Sequence, residues 1–197
     1  MKTVLFVPGF QEDVNSRDYK NVFDVIKSKG YLVQFVSIDW KRTIVDDWVS
    51  QLELEYQNYD AKEIILAGFS YGSLTALIAA TKQNPSELWL FSLSPYFADD
   101  IAELKQTWLR AIGKRRTRAF SYLVFGSLAE KIQCKTLLFV GELEVKKYSL
   151  IGRRAHLAQK YIKRSQLYTV PAAGHDIGHP NYIAVIKSAL LIESVIT

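Results

Sequence analysis

Short apolar runs alternate with amphipathic stretches along most of the chain. The runs are rich in Val, Ile, Leu and Phe, which is typical of strands that are buried on both faces of a sheet. They predict six strands, at residues 3–7, 31–38, 63–69, 87–93, 135–140 and 166–170. Between these runs, apolar residues recur at three- and four-residue spacing, which predicts helices. The alternation predicts an α/β fold class, with a mostly parallel sheet covered by helices on both faces.

The same spacing locates the helices. They are predicted at residues 19–26, 48–56, from 71, 101–112, 151–162 and from about 181. No linker-like segment or internal repeat interrupts the pattern, and 49% of the residues are hydrophobic, which is enough for one substantial core. We therefore expect residues 1–197 to form a single domain.

One pentapeptide carries a specific chemical signal. Gly68-Phe69-Ser70-Tyr71-Gly72 lies where the third predicted strand ends and a helix of small residues begins. A serine at such a turn is held in a strained conformation with its hydroxyl above the sheet, and the two glycines allow close backbone approach. The motif predicts that Ser70 is a nucleophile; the alternative is an ordinary buried turn.

The chain resembles the α/β-hydrolase family from Val4 to its C-terminus, because the elbow at Ser70 is followed by candidate acids and then by His175, in the order of that family. The six predicted strands match the family's third to eighth, so we expect the antiparallel pair that usually opens the sheet to be missing. The resemblance also implies a short lid at about residues 96–130, and hence a small serine hydrolase with an open site.

A serine hydroxyl needs a base to become a nucleophile. His175 follows the last predicted strand, in a loop of small residues that can carry an imidazole toward Ser70. The chain has two other histidines. His156 lies in a predicted helix beside arginines and is expected at the surface, and His179 precedes a proline and is expected to have a structural role at the start of the last helix.

The acid that orients the histidine has several candidates. The resemblance places it three residues after the glycine that ends the penultimate strand, which is Glu144 here. Glu142 is an alternative, or else a solvated loop carboxylate. Asp99 and Asp100 follow the previous strand, where some relatives carry the acid. We expect Glu144, while the others stay open.

The resemblance implies an oxyanion hole made by two backbone amides, those of Phe10 and Tyr71. Tyr71 follows the nucleophile at a helix start, where amide groups point outward and the helix dipole favours an anion. Phe10 lies in the turn that follows the first strand. Pro8 stands where relatives have a histidine that braces this turn, which leaves the amide of Phe10 available but puts the geometry of the hole in question.

Charge and aromatic residues bear on the substrate. The net charge is +5, and basic residues cluster at 114–118, 146–147, 153–154 and 163–164. These clusters are either solvated surface or, near the site, a source of preference for anionic substrates or surfaces. No nucleic-acid-binding module accompanies them, so we do not expect nucleic acid as a partner. Candidate walls of an acyl pocket are Trp40, Tyr96, Phe97, Trp108 and Phe125, although such aromatics belong to the core more often than to a pocket.

Together these features predict a serine hydrolase that cleaves a small-molecule carboxylic ester or thioester through an acyl-serine. No cofactor or metal is expected. Rival interpretations are a receptor-like binding protein of the same fold, and a lyase or perhydrolase with the same residues. The lone Cys134 is expected to be a structural thiol, which fits a reducing compartment and a cytoplasmic location. No apolar run approaches the roughly 20 residues that span a bilayer, so no transmembrane segment is expected.

Overall fold

A sheet of six parallel strands runs through the centre of the molecule, in the order β2-β1-β3-β4-β5-β6. The structure, a computed structural model, describes residues 1–16 and 19–192, so residues 17–18 and 193–197 of the expected domain lie outside the described part. The strands are Thr3–Val7 (β1), Leu32–Phe35 (β2), Ile64–Phe69 (β3), Glu87–Phe91 (β4), Lys135–Gly141 (β5) and Ser165–Val170 (β6). Every neighbouring pair is parallel, and within the described ranges the sheet has no antiparallel strand, as predicted.

Helices connect the strands and flank the sheet. They are Tyr19–Ser28 (α1), Val45–Tyr56 (α2), Tyr71–Gln83 (α3), Ala98–Ile101 (α4), Gln106–Ile112 (α5), Lys114–Phe120 (α6), Phe125–Ala129 (α7), Glu142–Lys147 (α8), Ser149–Tyr161 (α9) and Pro180–Ile192 (α10). The helix predicted at residues 101–112 is therefore wrong in its bounds. The chain turns after Ile101 and buries Leu104 in the core before α5 begins.

Two apolar layers sandwich the sheet. On one face the core joins residues of α2, α3, α7 and α9, and on the other face it joins residues of α1 and α10. Strands β1, β3 and β4 are buried along their whole length, which fits the apolar residues that make up most of each strand. Strand β2 lies at the edge and alternates between exposed and half-buried residues, so it is shorter than the predicted 31–38.

The register of the sheet brings distant loops together at the carboxyl ends of the strands. Val7 of β1 pairs with Gly68 of β3, so the turn after β1 lies beside the elbow after β3. Gly141 of β5 pairs with Val170 of β6, so the loops that follow these two strands also emerge side by side. In parallel sheets, ligands bind at this edge where the strand order reverses, here beside β1.

The segment predicted as a lid, residues 96–130, folds into α4 to α7 and is attached to the loop after β2. The guanidinium of Arg116 donates hydrogen bonds to the carbonyls of Trp40, at 2.6 Å, and Thr43, at 2.9 Å. It also lies 4.8 Å from the centre of the Phe10 ring, a distance at which a cation is attracted to an aromatic face. Arg115 donates to the carbonyl of Arg42 at 2.9 Å. These arginines therefore fasten the segment to the rest of the domain.

A buried ion pair joins α4 to α9. Arg154 and Asp100 are almost fully buried and lie 2.5 Å apart. The guanidinium carbon of Arg154 lies 4.7 Å from the ring centre of Phe97 and 4.3 Å from that of Phe125. Two guanidinium nitrogens of Arg154, Nε and Nη1, have no hydrogen-bond partner among the described residues. Arg154 was expected in an exposed basic cluster, and this is wrong, because its charge is neutralised inside the protein.

We expect Asp100→Ala to lower the free energy of unfolding by about 3–5 kcal/mol, because it leaves a buried guanidinium without its counter-charge. The double variant Asp100→Ala with Arg154→Met should recover most of this loss, since no buried charge remains. Urea unfolding of both variants measures the effect.

The matched control for this experiment is Glu103→Ala. Glu103 forms a half-exposed ion pair with Arg153 at 2.6 Å, and exposed pairs contribute at most about 1 kcal/mol. Equal losses for Asp100→Ala and Glu103→Ala would contradict a special role for the buried pair.

Across residues 1–16 and 19–192, no helix combines the length and the apolar composition needed to cross a membrane.

Candidate active site

The backbone at Ser70 has the strained geometry predicted from the pentapeptide. Ser70 has φ 57° and ψ −114° at the point where β3 ends and α3 begins. A Cβ on Gly68 would overlap the backbone of Gly72, and a Cβ on Gly72 would overlap the carbonyls of Val7 and Pro8. Glycine is therefore required at both positions, since the turn packs directly against the chain that leaves β1.

The structure brings Ser70, His175 and Glu144 into one chain of hydrogen bonds. The Oγ of Ser70 lies 3.0 Å from Nε2 of His175, and Nδ1 of His175 lies 2.5 Å from Oε1 of Glu144. Because an ionised carboxylate only accepts, Nδ1 carries the proton that is donated to Glu144, which leaves Nε2 to accept from the serine. This is the tautomer that a general base requires.

The other three candidate acids are not hydrogen bonded to His175 in the described part of the chain. Glu142 accepts a hydrogen bond from the Ala172 amide at 3.0 Å and pairs with Lys146 at 2.6 Å. The Ala172 amide and then Lys146 lower the pKa of Glu142. Asp99 is exposed, and Asp100 is committed to Arg154. Of the four carboxylates considered, only Glu144 is hydrogen bonded to His175 in the described part of the chain.

Two residues that the sequence analysis missed hold Glu144. Ser92, which follows β4 with φ 51°, donates from its hydroxyl to Oε2 of Glu144 at 2.8 Å. The Tyr182 hydroxyl of α10 lies 2.7 Å from Oγ of Ser92. Because the single hydroxyl proton of Ser92 goes to the carboxylate, Tyr182 must donate to Ser92. The Gly141 amide donates to the same Oε2 at 3.2 Å, so the buried carboxylate is satisfied on both oxygens.

The environment of Tyr182 keeps its hydroxyl protonated. Burial, and then the charge of Glu144, raise the pKa of Tyr182 well above its usual value. A neutral phenol is a donor, as the bond to Ser92 requires. In the sequence, Tyr182 has the pattern of an ordinary core residue of the last helix, and no local signal distinguishes it.

A second hydroxyl lies beside the candidate nucleophile. The Oγ of Ser94 is 3.2 Å from the Oγ of Ser70, and both side chains are buried. When Ser70 donates to His175, Ser94 is left to donate to Ser70. The Ser70 oxygen then has a fixed orientation with one proton directed at the imidazole.

Glu12 and Tyr19 brace the turn after β1. The resemblance implies a bracing histidine where this chain has Pro8. The Gly9 amide donates to Oε2 of Glu12 at 3.1 Å and to the Tyr19 hydroxyl at 3.0 Å, and Tyr19 in turn donates to Glu12. The rings of Phe10 and Tyr71 lie 5.0 Å apart. Neither of their amides donates a hydrogen bond to a described residue, so both are available to an incoming oxygen.

A cavity of about 250 Å³ opens above Ser70 and His175. Aromatic side chains form much of its wall, namely Tyr71, Tyr96, Trp108 and Tyr148. Burial, and then the neighbouring Tyr96, raise the pKa of Tyr71, and burial raises that of Tyr96, so both phenols are neutral. Among the five aromatics considered as pocket walls, Tyr96 and Trp108 line this cavity.

The other three predicted wall residues belong to the core. Trp40, Phe97 and Phe125 are each less than a tenth exposed and pack with the apolar layer that contains α2 and α3. The structure therefore shows the core assignment, the more common of the two for such aromatics.

The two other histidines and Cys134 do not line the cavity above Ser70. His156 is exposed, with Nδ1 2.8 Å from the carbonyl of Gly152. His179 accepts a hydrogen bond from the Asn181 amide at 3.2 Å, at the start of α10. Cys134 is buried, and burial raises the pKa of its thiol to about 11, which makes it unreactive. No cluster of three or more His, Cys, Asp or Glu in the described ranges could hold a metal ion.

No protein-family model and no curated protein sequence matches the chain. Solved structures do match its fold. Est1E from Butyrivibrio proteoclasticus is 14% identical, with a TM-score of 0.82 over 100% of this chain and 89% of that one. MenH from S. aureus is 18% identical, and the match covers 98% of this chain and 94% of that one with a TM-score of 0.70. A bromoperoxidase from Bacillus anthracis is 14% identical, and the match covers 97% of this chain and 91% of that one with a TM-score of 0.69. The chain therefore has the α/β-hydrolase fold.

Proposed function

We propose that this protein is a serine hydrolase that cleaves a small carboxylic ester or thioester through an acyl-serine intermediate. The observation that carries the proposal is the hydrogen-bond chain from Ser70 through His175 to Glu144, at the edge of the sheet where ligands bind. The available amides of Phe10 and Tyr71 support it, because they can face an oxygen that is bonded to the same carbon as Ser70.

In the first half of the reaction, Oγ of Ser70 attacks the carbonyl carbon and its proton passes to Nε2 of His175. Glu144 stabilises the imidazolium, and the amides of Phe10 and Tyr71 stabilise the negative charge on the carbonyl oxygen. The tetrahedral intermediate then collapses. The bond to the leaving group breaks, the alcohol or thiol takes the proton from His175, and the acyl group stays on Ser70.

In the second half, a water molecule attacks the acyl carbon and gives its proton to His175. Collapse of the second tetrahedral intermediate releases the carboxylic acid and returns the proton to Ser70. Throughout both halves Glu144 stays ionised and fixed by Ser92, so that His175 keeps the same orientation while it exchanges its proton.

The dimensions of the cavity limit the acyl group. A volume of about 250 Å³ is below the usual range for drug-sized ligands and fits a short chain or a single ring. Its aromatic walls favour flat or apolar groups. One structure of Est1E is described as having ferulic acid bound, and aromatic acids therefore belong with short aliphatic acids among the acyl groups to be tested.

Four arginines of the basic clusters are already engaged within the protein, which weakens them as the source of a preference for anionic substrates. Arg115 and Arg116 bind backbone carbonyls, and Arg153 and Arg154 pair with carboxylates. If such a preference exists, it has to come from other cations.

We keep a small molecule as the proposed partner and a reducing compartment such as the cytoplasm as the proposed location, which the lone, buried Cys134 supports.

A fluorophosphonate probe tests the proposed function without knowledge of the substrate. We expect the folded protein to be labelled on the peptide that contains Ser70, as mapped by mass spectrometry, because phosphonylation needs an activated serine, a base and an oxyanion hole together. Heat-denatured protein is the control and should not be labelled. A folded protein that stays unlabelled would instead support the receptor-like binding protein.

A further inference from the structure

A pair of aromatic rings forms a shared wall between the candidate active site and a second cavity. Trp108 and Tyr148 have ring centres 5.3 Å apart. Both line the cavity above Ser70, and both also line a neighbouring cavity of about 110 Å³. A substrate that lies across these rings can therefore reach both spaces at once.

The second cavity contains two cations without a counter-charge. Lys105 and Lys147 line it and are exposed, and neither has a carboxylate within ion-pair distance in the described part of the chain. The carboxylate that shares this cavity, Glu103, is paired with Arg153 at 2.6 Å. The cavity therefore has a net positive charge, and each ammonium group is held on a flexible stem that can move to meet a ligand.

The site above Ser70 differs in this respect. Its walls carry aromatic, hydroxyl and aliphatic side chains, and the one ionisable imidazole, that of His175, is bound to Glu144. A negative charge on a substrate would be poorly solvated there but well matched in the second cavity. The charge pattern thus separates an apolar part of the substrate from an anionic part.

We propose that the second cavity is a subsite for an anionic group, a carboxylate or a phosphate, that is joined by a short spacer to the ester or thioester bond. The inference rests on the proposed function for the bond that is cleaved. Trp108 and Tyr148 support the spacer, and Lys105 and Lys147 bind the anion. The preferred substrates are thus half-esters or thioesters of acidic molecules.

Paired substrates test the subsite. p-Nitrophenyl half-esters of glutaric and adipic acid are compared with the same compounds capped as methyl esters, and a second pair places the carboxylate on the phenyl acetate leaving group. At low salt, at least one of these two types of anionic ester should have about a tenfold higher kcat/KM than its neutral partner, because its carboxylate forms two exposed ion pairs with the lysines. Lys105→Met with Lys147→Met should remove this advantage through KM and leave the neutral esters unchanged.

A matched double variant controls for loss of charge alone. Lys160→Met with Lys163→Met removes the same charge from exposed residues outside both cavities. The match includes a ring contact, because Lys147 lies 5.2 Å from the ring centre of Tyr148 and Lys160 lies 5.7 Å from that of Tyr161. We expect this variant to keep the preference for the anionic esters. An equal loss in both double variants, or no preference in the wild-type protein, would overturn the subsite.

A binding measurement separates the subsite from the proposed function. Calorimetric titration of inorganic phosphate and of glutarate into Ser70→Ala protein does not require turnover, and it tells which anion the lysines bind more tightly. Binding that disappears in Lys105→Met with Lys147→Met supports the subsite even if no ester is cleaved. Absence of binding by both anions rejects the subsite even if neutral esters are cleaved.

Discussion

Ser70→Ala should lower kcat/KM for ester hydrolysis by about 10⁴-fold or more, because removal of the nucleophile from a catalytic triad costs at least that much. The change removes one hydroxyl and leaves the strained turn in place, since the glycines that permit it are untouched. The amides of Phe10 and Tyr71 also remain, and a small residual rate from binding and charge stabilisation is expected. Initial rates with p-nitrophenyl acetate measure the effect.

A serine outside the candidate site provides the control for this variant. Ser50 is exposed on α2, and among the described residues its hydroxyl is hydrogen bonded only to the carbonyl of Asp46, so Ser50→Ala should keep the wild-type rate. Thermal unfolding of both variants checks that they are folded. If Ser70→Ala retained activity within tenfold of wild type, another nucleophile would have to be sought, and the neighbouring Ser94 would be the first to examine.

Glu144→Gln should lower kcat by about 10³- to 10⁴-fold with little change in KM. The amide that replaces the carboxylate can donate a proton to Nδ1 of His175, which stabilises the tautomer with a proton on Nε2, facing Ser70. A histidine in that state cannot accept the serine proton, and a change of this kind costs about 10⁴-fold in a serine protease. The effect is measured as the split between kcat and KM on one ester.

Two other candidate acids give controls for this prediction. Glu142→Gln and Asp99→Asn remove carboxylates that do not contact His175, and each is expected to keep the rate within about threefold. Glu144→Asp is a further comparison, because its shorter side chain cannot reach both His175 and Ser92 from the same backbone. A rate for Glu144→Gln no lower than that for Glu142→Gln would remove Glu144 from the mechanism.

The sequence predicted the fold well because the fold depends on local patterns. Strands that are buried on both faces need unbroken apolar runs, and β3 and β5 show such runs clearly. The bounds of β2 were wrong because an edge strand is stabilised on one side only, and its apolar residues continue past the last hydrogen bond. The helix at residues 101–112 was wrong because the burial of Leu104 overrides the helical spacing around it.

Candidate site residues could be proposed from the sequence only where a local signal marks them. Ser70 lies in a pentapeptide whose glycines are required by close contacts, and Glu144 lies at the distance from a strand end that the resemblance implies. Ser92 and Tyr182 are 90 residues apart, and their hydrogen bond exists only because β4 and α10 meet in space. The burial of Arg154 likewise depends on Asp100, 54 residues away. Such pairs leave no trace in either segment alone.

The attachment of α6 has a mechanical consequence for the route by which substrates enter. Arg116 of α6 donates to the carbonyls of Trp40 and Thr43 and lies over the ring of Phe10, whose amide is a proposed oxyanion donor. An outward swing of α6 would therefore break these bonds and remove a support of Phe10 in the same movement. We therefore expect substrate entry that preserves both proposed oxyanion donors to leave α6 attached to the loop after β2.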